Sequence, residues 1–270
     1  MLPVLAYGAG VALPLVVLIS RAMSGEATQV RLLTEANAAR TWQTVLLAGG
    51  VLAATTLIAW PMAWFVTRTD LWGRRTLSML AVLPLALPGY LMAYALRSVG
   101  GYGGPIHAWT GWMVDRPSGY FGALLAMSAY LLPYLFLTLR AGMLGIDPSL
   151  EEAARSLGQS RWRVLWGVVV PQLRPAYLAG AMLVVLHVVG DFAVVTMMDY
   201  ETLSRDLYVK LSSGAGDWSS AARSGLLLLA VASVFIFVEV FLLRGLRVDR
   251  AGSGGGRRRS IATLRRCGEV

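Results

Sequence analysis

The sequence predicts an all-α, polytopic membrane protein with six transmembrane helices. Its 270 residues are 56% hydrophobic and 14% charged, with a mean hydropathy of +0.60, whereas an average globular chain is about 25% charged. A bilayer-spanning helix needs roughly 20 apolar residues, and such runs must be helical because lipid offers no partner to unpaired backbone groups. Six runs meet this length: 2–19, 43–66, 77–96, 121–139, 177–198 and 225–243.

The distribution of Lys and Arg predicts cytoplasmic N- and C-termini. With that orientation the inner segments are 67–76, 140–176 and 244–270, and they carry three, five and eight basic residues, respectively. The outer segments, which carry three, two and three, are 20–42, 97–120 and 199–224. Basic residues concentrate in cytoplasmic loops. Because this asymmetry and the basic tail account for most of the net charge of +9, we do not predict nucleic-acid binding.

The first run, 2–19, predicts a retained span rather than a cleaved signal peptide. A signal peptide would require a basic residue before its apolar core, and none is present here. The polar segment 20–42 that follows has room for a short surface helix.

The third run is expected to bend within residues 83–90, LPLALPGY. Pro84 and Pro88 remove backbone donors and free carbonyls in the preceding turns. A membrane helix tolerates this where neighbouring helices or a polar cavity satisfy the freed groups. The pattern predicts either a passive kink or a bend that lines a solute path.

The segment 147–175, DPSLEEAARSLGQSRWRVLWGVVVPQLRP, is polar and Arg-rich although it lies between two apolar runs. Ser149 and Glu152 have the spacing of a capping box. Pro148 then lies just outside the helix, or at its first position if Asp147 is the cap. The segment therefore begins with a short helix outside the membrane.

The rest of this segment predicts a turn and a second helix. Ala153 and Ala154 are strong helix formers that leave a smooth face for the close approach of a partner. Gly158 is free to take the left-handed conformation that ends a helix. Pro171 closes the segment.

The fifth run contains ionisable side chains at membrane depth, where they are costly and indicate function. Asp191 lies four residues after His187, so a continuous helix would place both on one face. The pair predicts either transient coordination of a hard cation or ordinary packing and hydrogen bonding between helices. In both cases we expect Asp191 to face an interface or an aqueous path rather than lipid.

The segment 147–175 resembles the EAA loop of ABC-importer membrane subunits, in which helix, Gly turn and helix dock into a cytoplasmic ATPase. With LPLALPGY at 83–90, PQLRP at 171–175 and GDFAVV at 190–195, the chain is most similar to the N-terminal half of fused ferric-iron permeases. The resemblance implies ATPase-coupling roles for Glu151, Glu152, Ala153, Ala154, Gly158 and Pro171. The bend and the ionisable pair described above are the candidates for a translocation path, which would include His187, Asp191, Pro84 and Pro88.

This resemblance implies a type I-like permease lobe over residues 1–250, followed by a basic Gly- and Arg-rich tail at 251–270. The implied partners are a second permease lobe, cytoplasmic ATPase subunits that use ATP and Mg, and a periplasmic binding protein that delivers ferric iron. The second lobe is either a separate chain or a missing C-terminal half. The expected location is the lipid of a bacterial inner membrane. The alternative solutes are thiamine, an aminophosphonate or a sulfate-like anion.

The sequence lacks the chemistry of an ATPase or of any other self-sufficient enzyme. A P-loop needs Gly-Lys-Ser/Thr, but the only lysine is Lys210, within Val-Lys-Leu. A single cysteine, Cys267, excludes an internal disulfide and a cysteine-based metal site. We therefore predict no bound metal or cofactor, and a separate subunit as the energy source. A secondary transporter is the less favoured alternative, because such proteins usually contain an inverted repeat and none is visible in the six runs.

Overall fold

A computed structural model describes residues 2–23, 34–213 and 218–244. These residues form helices, turns and loops without a β-sheet, so the all-α prediction is confirmed. The helices are α1 (Leu2–Met23), α2 (Glu35–Arg68), α3 (Arg74–Val82), α4 (Gly89–Val99), α5 (Pro105–Thr110), α6 (Gly119–Gly145), α7 (Pro148–Ser156), α8 (Arg161–Val164), α9 (Val170–Gly190), α10 (Phe192–Met197), α11 (Leu203–Ser212) and α12 (Trp218–Arg244). The predicted tail at 251–270 and Cys267 lie outside the described residues.

Four helical stretches in the described ranges are long and apolar enough to cross a membrane: α2, α6, Arg161–Gly190 and α12. The broken pair formed by Arg74–Ala86 and Gly89–Val99 gives a fifth span if it is counted as one. The first predicted run, 2–19, coincides with α1, of which Ala12–Met23 is an apolar helix shorter than a full span. The multi-span membrane architecture is therefore confirmed, and the count of six remains a prediction.

The break in the third span occurs at the predicted prolines. A short 3-10 turn at Leu83–Ala86 contains Pro84. Leu87 is then extended (φ −107°, ψ 124°), as expected for a residue that precedes a proline. Its N–H donates to the carbonyl of Pro84 at 3.0 Å, so this turn retains one backbone hydrogen bond where the helix stops.

The fifth predicted span, 177–198, is not one continuous helix, and here the sequence interpretation is wrong. Helix α9 ends at Gly190, and Asp191 adopts an extended conformation (φ −80°, ψ 105°) as the N-cap of α10. The Asp191 carboxylate accepts a hydrogen bond from the backbone N–H of Val194 at 3.0 Å. This local capping bond stabilises a new helix start, and hydropathy averaged over the run does not detect it.

The chain divides into two compact units. The first comprises Met1–Gly50, Gly89–Met127 and Leu186–Phe235. Its largest fully buried side chains include Leu47, Met127, Met198 and Leu203.

Charged side chains also lie in the interior of this first unit. The carboxylate of Asp206 on α11 accepts from Arg40 Nη1 at 2.9 Å, Lys210 Nζ at 2.6 Å and Ser224 Oγ at 2.6 Å. The Asp206 side chain is only 6% exposed. Because Arg40 lies on α2 and Ser224 on α12, one buried carboxylate links three helices.

The second unit comprises Val51–Pro88, Ser128–Val185 and Ile236–Val270. Its buried core includes Phe136, Leu139 and Leu173, which are fully buried. Helices α6 and α9 approach closely at Gly180, where an added Cβ would lie 2.2 Å from Thr138 Oγ1. Small residues permit such close helix packing in membranes.

Candidate functional site

The segment 147–175 begins with a capped helix. Asp147 is the N-cap of α7 and Pro148 is its first residue, which is the second of the two arrangements predicted from the sequence. The Asp147 carboxylate accepts from the Ser149 backbone N–H at 2.9 Å. This backbone bond, followed by one from the Ser149 hydroxyl, holds the pKa of Asp147 below its usual range. Helix α7 therefore has a fixed start.

Gly158 makes the turn that ends α7. Its φ of +76° lies in the left-handed region, which a side chain with a Cβ disfavours. The N–H of Gly158 donates to the Arg155 carbonyl at 2.9 Å, and the N–H of Gln159 donates to the Ala154 carbonyl at 3.2 Å. These two bonds form a Schellman motif, as the predicted Gly turn requires.

The second helix of the segment continues through Pro171. Ser160 caps α8, and a π-helical turn at Leu165–Val169 joins α8 to α9. The N–H of Val170 donates to the Leu165 carbonyl across this wider turn. Proline cannot donate to the regular helical ladder and crowds the preceding turn, and single π turns accommodate such local changes. Pro171 therefore modifies a helix that runs on to Gly190.

The Glu-Ala-Ala residues of α7 do not share one environment. Glu152 and Ala153 are exposed, whereas Ala154 is buried within its own unit. The prediction that Ala153 and Ala154 form one face open to a partner is therefore wrong for Ala154, because α7 packs that side against the protein. Of the three Glu-Ala-Ala residues, Glu152 and Ala153 remain available to a partner.

Sequence reasoning missed the three most exposed large apolar side chains of the same segment. Leu157, Trp162 and Trp166 are 81%, 72% and 65% exposed. The i, i+4 spacing of the two tryptophans was the available signal, because such residues lie on one helix face. Clustered exposed apolar residues mark interaction surfaces.

Glu151, also predicted to couple to an ATPase, pairs within the chain. Its Oε1 lies 2.5 Å from Arg68 Nη1, and both side chains are only 14% exposed. Arg68 Nη2 also donates to the Met143 carbonyl at 3.4 Å. Glu151 thus attaches α7 to the ends of α2 and α6.

The residues predicted for the path are arranged differently from the expectation. His187 is exposed and Asp191 is half-buried. The Asp191 backbone N–H donates to the His187 carbonyl at 2.9 Å, and α9 ends at Gly190, directly before Asp191. Within the described ranges no three His, Cys, Asp or Glu residues cluster as a metal site would require.

Asp191 offers a test that separates charge from capping. Asparagine caps helices about as well as aspartate, whereas alanine costs about 1 kcal/mol. If the negative charge of Asp191 contributes to solute transport, Asp191→Asn should lower uptake several-fold with an unchanged melting temperature. Asp191→Ala should lower both the uptake and the melting temperature. Solute uptake and thermal unfolding of the purified chain measure the two effects. Full uptake by Asp191→Ala would contradict a role in the path.

Comparison with known proteins places these features in context. The family described as "Binding-protein-dependent transport system inner membrane component" matches residues 55–247. The chain is 30% identical over 225 residues to the Molybdenum transport system permease protein ModB of Escherichia coli (strain K12), a match that covers 78% of this chain and 96% of that protein. It is 30% identical to the Sulfate transport system permease protein CysT of Escherichia coli (strain K12), a match that covers 67% of this chain and 65% of that protein.

A ferric-iron permease is also among the relatives. The chain is 24% identical to the Fe(3+)-transport system permease protein FbpB 2 of Haemophilus influenzae, over 75% of this chain and 37% of that protein. Among solved structures, a bacterial alginate ABC transporter in complex with a pentasaccharide-bound periplasmic protein matches with a TM-score of 0.68 and 17% identity, covering 90% of this chain and 92% of that one. The MetNI methionine ABC transporter matches with a TM-score of 0.64 and 17% identity, covering 78% of this chain and 96% of that one.

Proposed function

The chain belongs to the family of binding-protein-dependent transport system inner membrane components, and we propose that it forms the solute path of an ATP-driven importer of small tetrahedral oxyanions. It is a multi-pass inner-membrane permease subunit with the fold of type I ABC importers. Permease subunits of this kind are membrane components and not enzymes. The resemblance recognised in the sequence is thus confirmed at the level of the family.

The proposed solute differs from the ferric iron expected from the sequence. Iron is not confirmed, because the relatives include permeases named for molybdenum, sulfate and Fe(3+). The match to the molybdenum permease, at 30% identity over nearly its whole length, supports an oxyanion. Molybdate and sulfate are both tetrahedral dianions, so one path suits either. Ferric iron remains the second candidate, supported by the match to FbpB 2.

Uptake of labelled solutes tests this proposal. Cells expressing this permease with a P-loop ATPase subunit and a periplasmic binding protein should accumulate labelled molybdate or sulfate, and a variant ATPase unable to hydrolyse ATP should abolish the accumulation. If the cells accumulated ferric iron but neither oxyanion, ferric iron would become the proposed solute. Uptake that persists without the ATPase would instead favour a secondary transporter.

We propose that α7, the Gly158 turn and α8 form the surface that contacts the ATPase. The observation that carries this proposal is the exposure of Leu157, Trp162 and Trp166 beside Glu152 on a segment with polar ends. Apolar side chains in such a position lose water only when a partner covers them, and aromatic residues dominate the energy of many interfaces. ATP and Mg are bound by that partner.

Gly158→Val should lower ATP-driven uptake about tenfold, because a left-handed residue with a Cβ costs about 1–2 kcal/mol. No atom lies within 4 Å of a Cβ added at this position, so backbone strain and not a clash causes the loss. Gly158→Asn is the matched control, since asparagine tolerates this conformation and should retain most of the uptake. Equal uptake by the two variants would remove the turn from the coupling mechanism.

The orientation also remains a proposal, with both termini in the cytoplasm. A reporter fused after Arg75 or Arg163 should respond as cytoplasmic, and one inserted in the loop at 100–116 as external. The charge distribution of the loops predicts this result. The reverse pattern would place α7 and α8 outside, where no ATPase could reach them.

A second permease lobe and a periplasmic binding protein complete the proposed assembly. The solved relatives with similar folds include an ABC transporter in complex with a substrate-bound periplasmic protein, which supports this general arrangement. Co-purification of the chain with its ATPase and with a second permease lobe measures the assembly directly.

A further inference from the structure

A groove runs along the second unit between α6 and the first half of the third span, which consists of α3 and the 3-10 turn at Leu83–Ala86. It has a volume of about 580 Å³, within the range of about 300–1,000 Å³ typical of ligand pockets. Its wall is almost entirely apolar, and the side chains that define it include Ser78, Val82, Leu83, Ala86, Phe136 and Arg140.

Arg140 is the only charged residue that lines this groove. Its Nε is buried and has no hydrogen-bond partner among the described residues. Among the residues that the structure describes, no carboxylate forms an ion pair with Arg140. A partly buried guanidinium without an anionic partner is costly, so the site calls for an anion that is not supplied by the described chain.

The polar and apolar parts of the groove are ordered by depth. Arg140 lies five residues before Gly145, where α6 ends, and Ser78 lies four residues after Arg74, where α3 begins. At 1.5 Å per residue, both polar groups are about 6–8 Å from their helix ends, near the level of lipid headgroups. Val82, Leu83 and Ala86 continue from Ser78 towards the middle of the span.

We propose that this groove binds an anionic phospholipid, with the phosphate on Arg140 and an acyl chain along the apolar wall. The ligand must be negative at the shallow end and apolar along the deep end, and a phospholipid has this polarity. A free oxyanion such as the transported solute would satisfy Arg140 but would leave the apolar wall uncovered. With the proposed orientation the lipid belongs to the cytoplasmic leaflet, whose negative surface attracts basic residues.

Native mass spectrometry of the full chain tests the proposal without relying on transport. The chain is reconstituted in nanodiscs that contain phosphatidylglycerol and phosphatidylcholine, and the lipid retained after gentle release is counted. Wild type should retain phosphatidylglycerol selectively, and Arg140→Gln should retain about fivefold less, as expected for one basic residue. Arg75→Gln is the matched control, because Arg75 is exposed at the start of α3 and does not line the groove.

A second variant tests the acyl-chain part of the site while keeping the charge. Ala86→Trp fills the groove, so it should lose the bound lipid although Arg140 is intact, and Arg140→Lys should keep it. Equal retention by wild type, Arg140→Gln and Ala86→Trp would overturn the proposal. Displacement of the lipid by molybdate alone would assign Arg140 to the solute instead. Loss of co-purified second lobe from Arg140→Gln, without loss of lipid, would assign it to the lobe interface.

Discussion

Glu151→Lys is expected to abolish ATP-driven uptake and to lower the stability of the chain markedly. The substitution replaces the acceptor of Arg68, 2.5 Å away, with a second positive charge at a site where both side chains are 14% exposed. Breaking a buried ion pair costs about 3–5 kcal/mol, because the remaining charge loses its partner. Helix α7 would then detach from α2, and its exposed surface would lose its position. Uptake in cells and thermal unfolding of the purified chain measure the two effects.

Two controls separate this pair from its neighbours. Glu152→Lys makes the same charge change on an exposed position of the same helix, so the melting temperature should stay close to that of wild type even if coupling suffers. The exchange Arg68→Glu with Glu151→Arg restores the opposite charges and should recover stability in part. An unchanged melting temperature of Glu151→Lys would show that the ion pair does not hold α7.

The features of this protein that could be predicted from its sequence are those set by neighbouring residues. Hydropathy located the long apolar helices α2, α6 and α12, since lipid admits only helices there. The caps and turns of α7 also follow local rules: Asp147 before Pro148 starts the helix, and Gly158 ends it with a left-handed residue. The proline break at Leu87 follows because residue 88 excludes a helical conformation before it.

The errors arose where a local bond or a distant residue decides the structure. Asp191 was read as part of a continuous helix, although its side chain caps a new one through Val194. A composition average gives no weight to a single hydrogen bond. The pairing of Glu151 with Arg68 spans 83 residues of sequence, and only the tertiary fold brings the two together. For this reason Glu151, which directly precedes the Glu-Ala-Ala residues, faces the protein's own helices.

Pro171 shows a feature that local rules do not describe. A proline near the end of a polar segment indicates a helix boundary by local rules. The π turn at Leu165–Val169 lets the helix pass through instead, and no sequence rule used above anticipates such a turn. The consequence is that the end of the segment 147–175 and the fifth span share one helix from Arg161 to Gly190, which offers a rigid connection between the proposed ATPase surface and the membrane.

Asp206→Asn should destabilise the first unit by about 3–5 kcal/mol, the usual cost of removing one partner from a buried ionic cluster. Asp206 is the acceptor for Arg40, Lys210 and Ser224 at 2.6–2.9 Å, and its side chain is 6% exposed. Asparagine offers one weaker acceptor, so the positive charges of Arg40 and Lys210 would lose the carboxylate that neutralises them. The midpoint of thermal unfolding, followed for the purified chain in detergent, should fall accordingly.

Glu201→Gln is the matched control for this cluster. Glu201 contacts Arg205 at 3.0 Å and Arg40 at 3.7 Å, but its side chain is 51% exposed, so its loss should cost no more than about 1 kcal/mol. The double variant Asp206→Leu with Lys210→Met removes both charges of the closest pair and should recover much of the loss, as apolar replacements of buried pairs often do. If Asp206→Asn and Glu201→Gln lower the melting temperature equally, burial does not set the strength of this cluster.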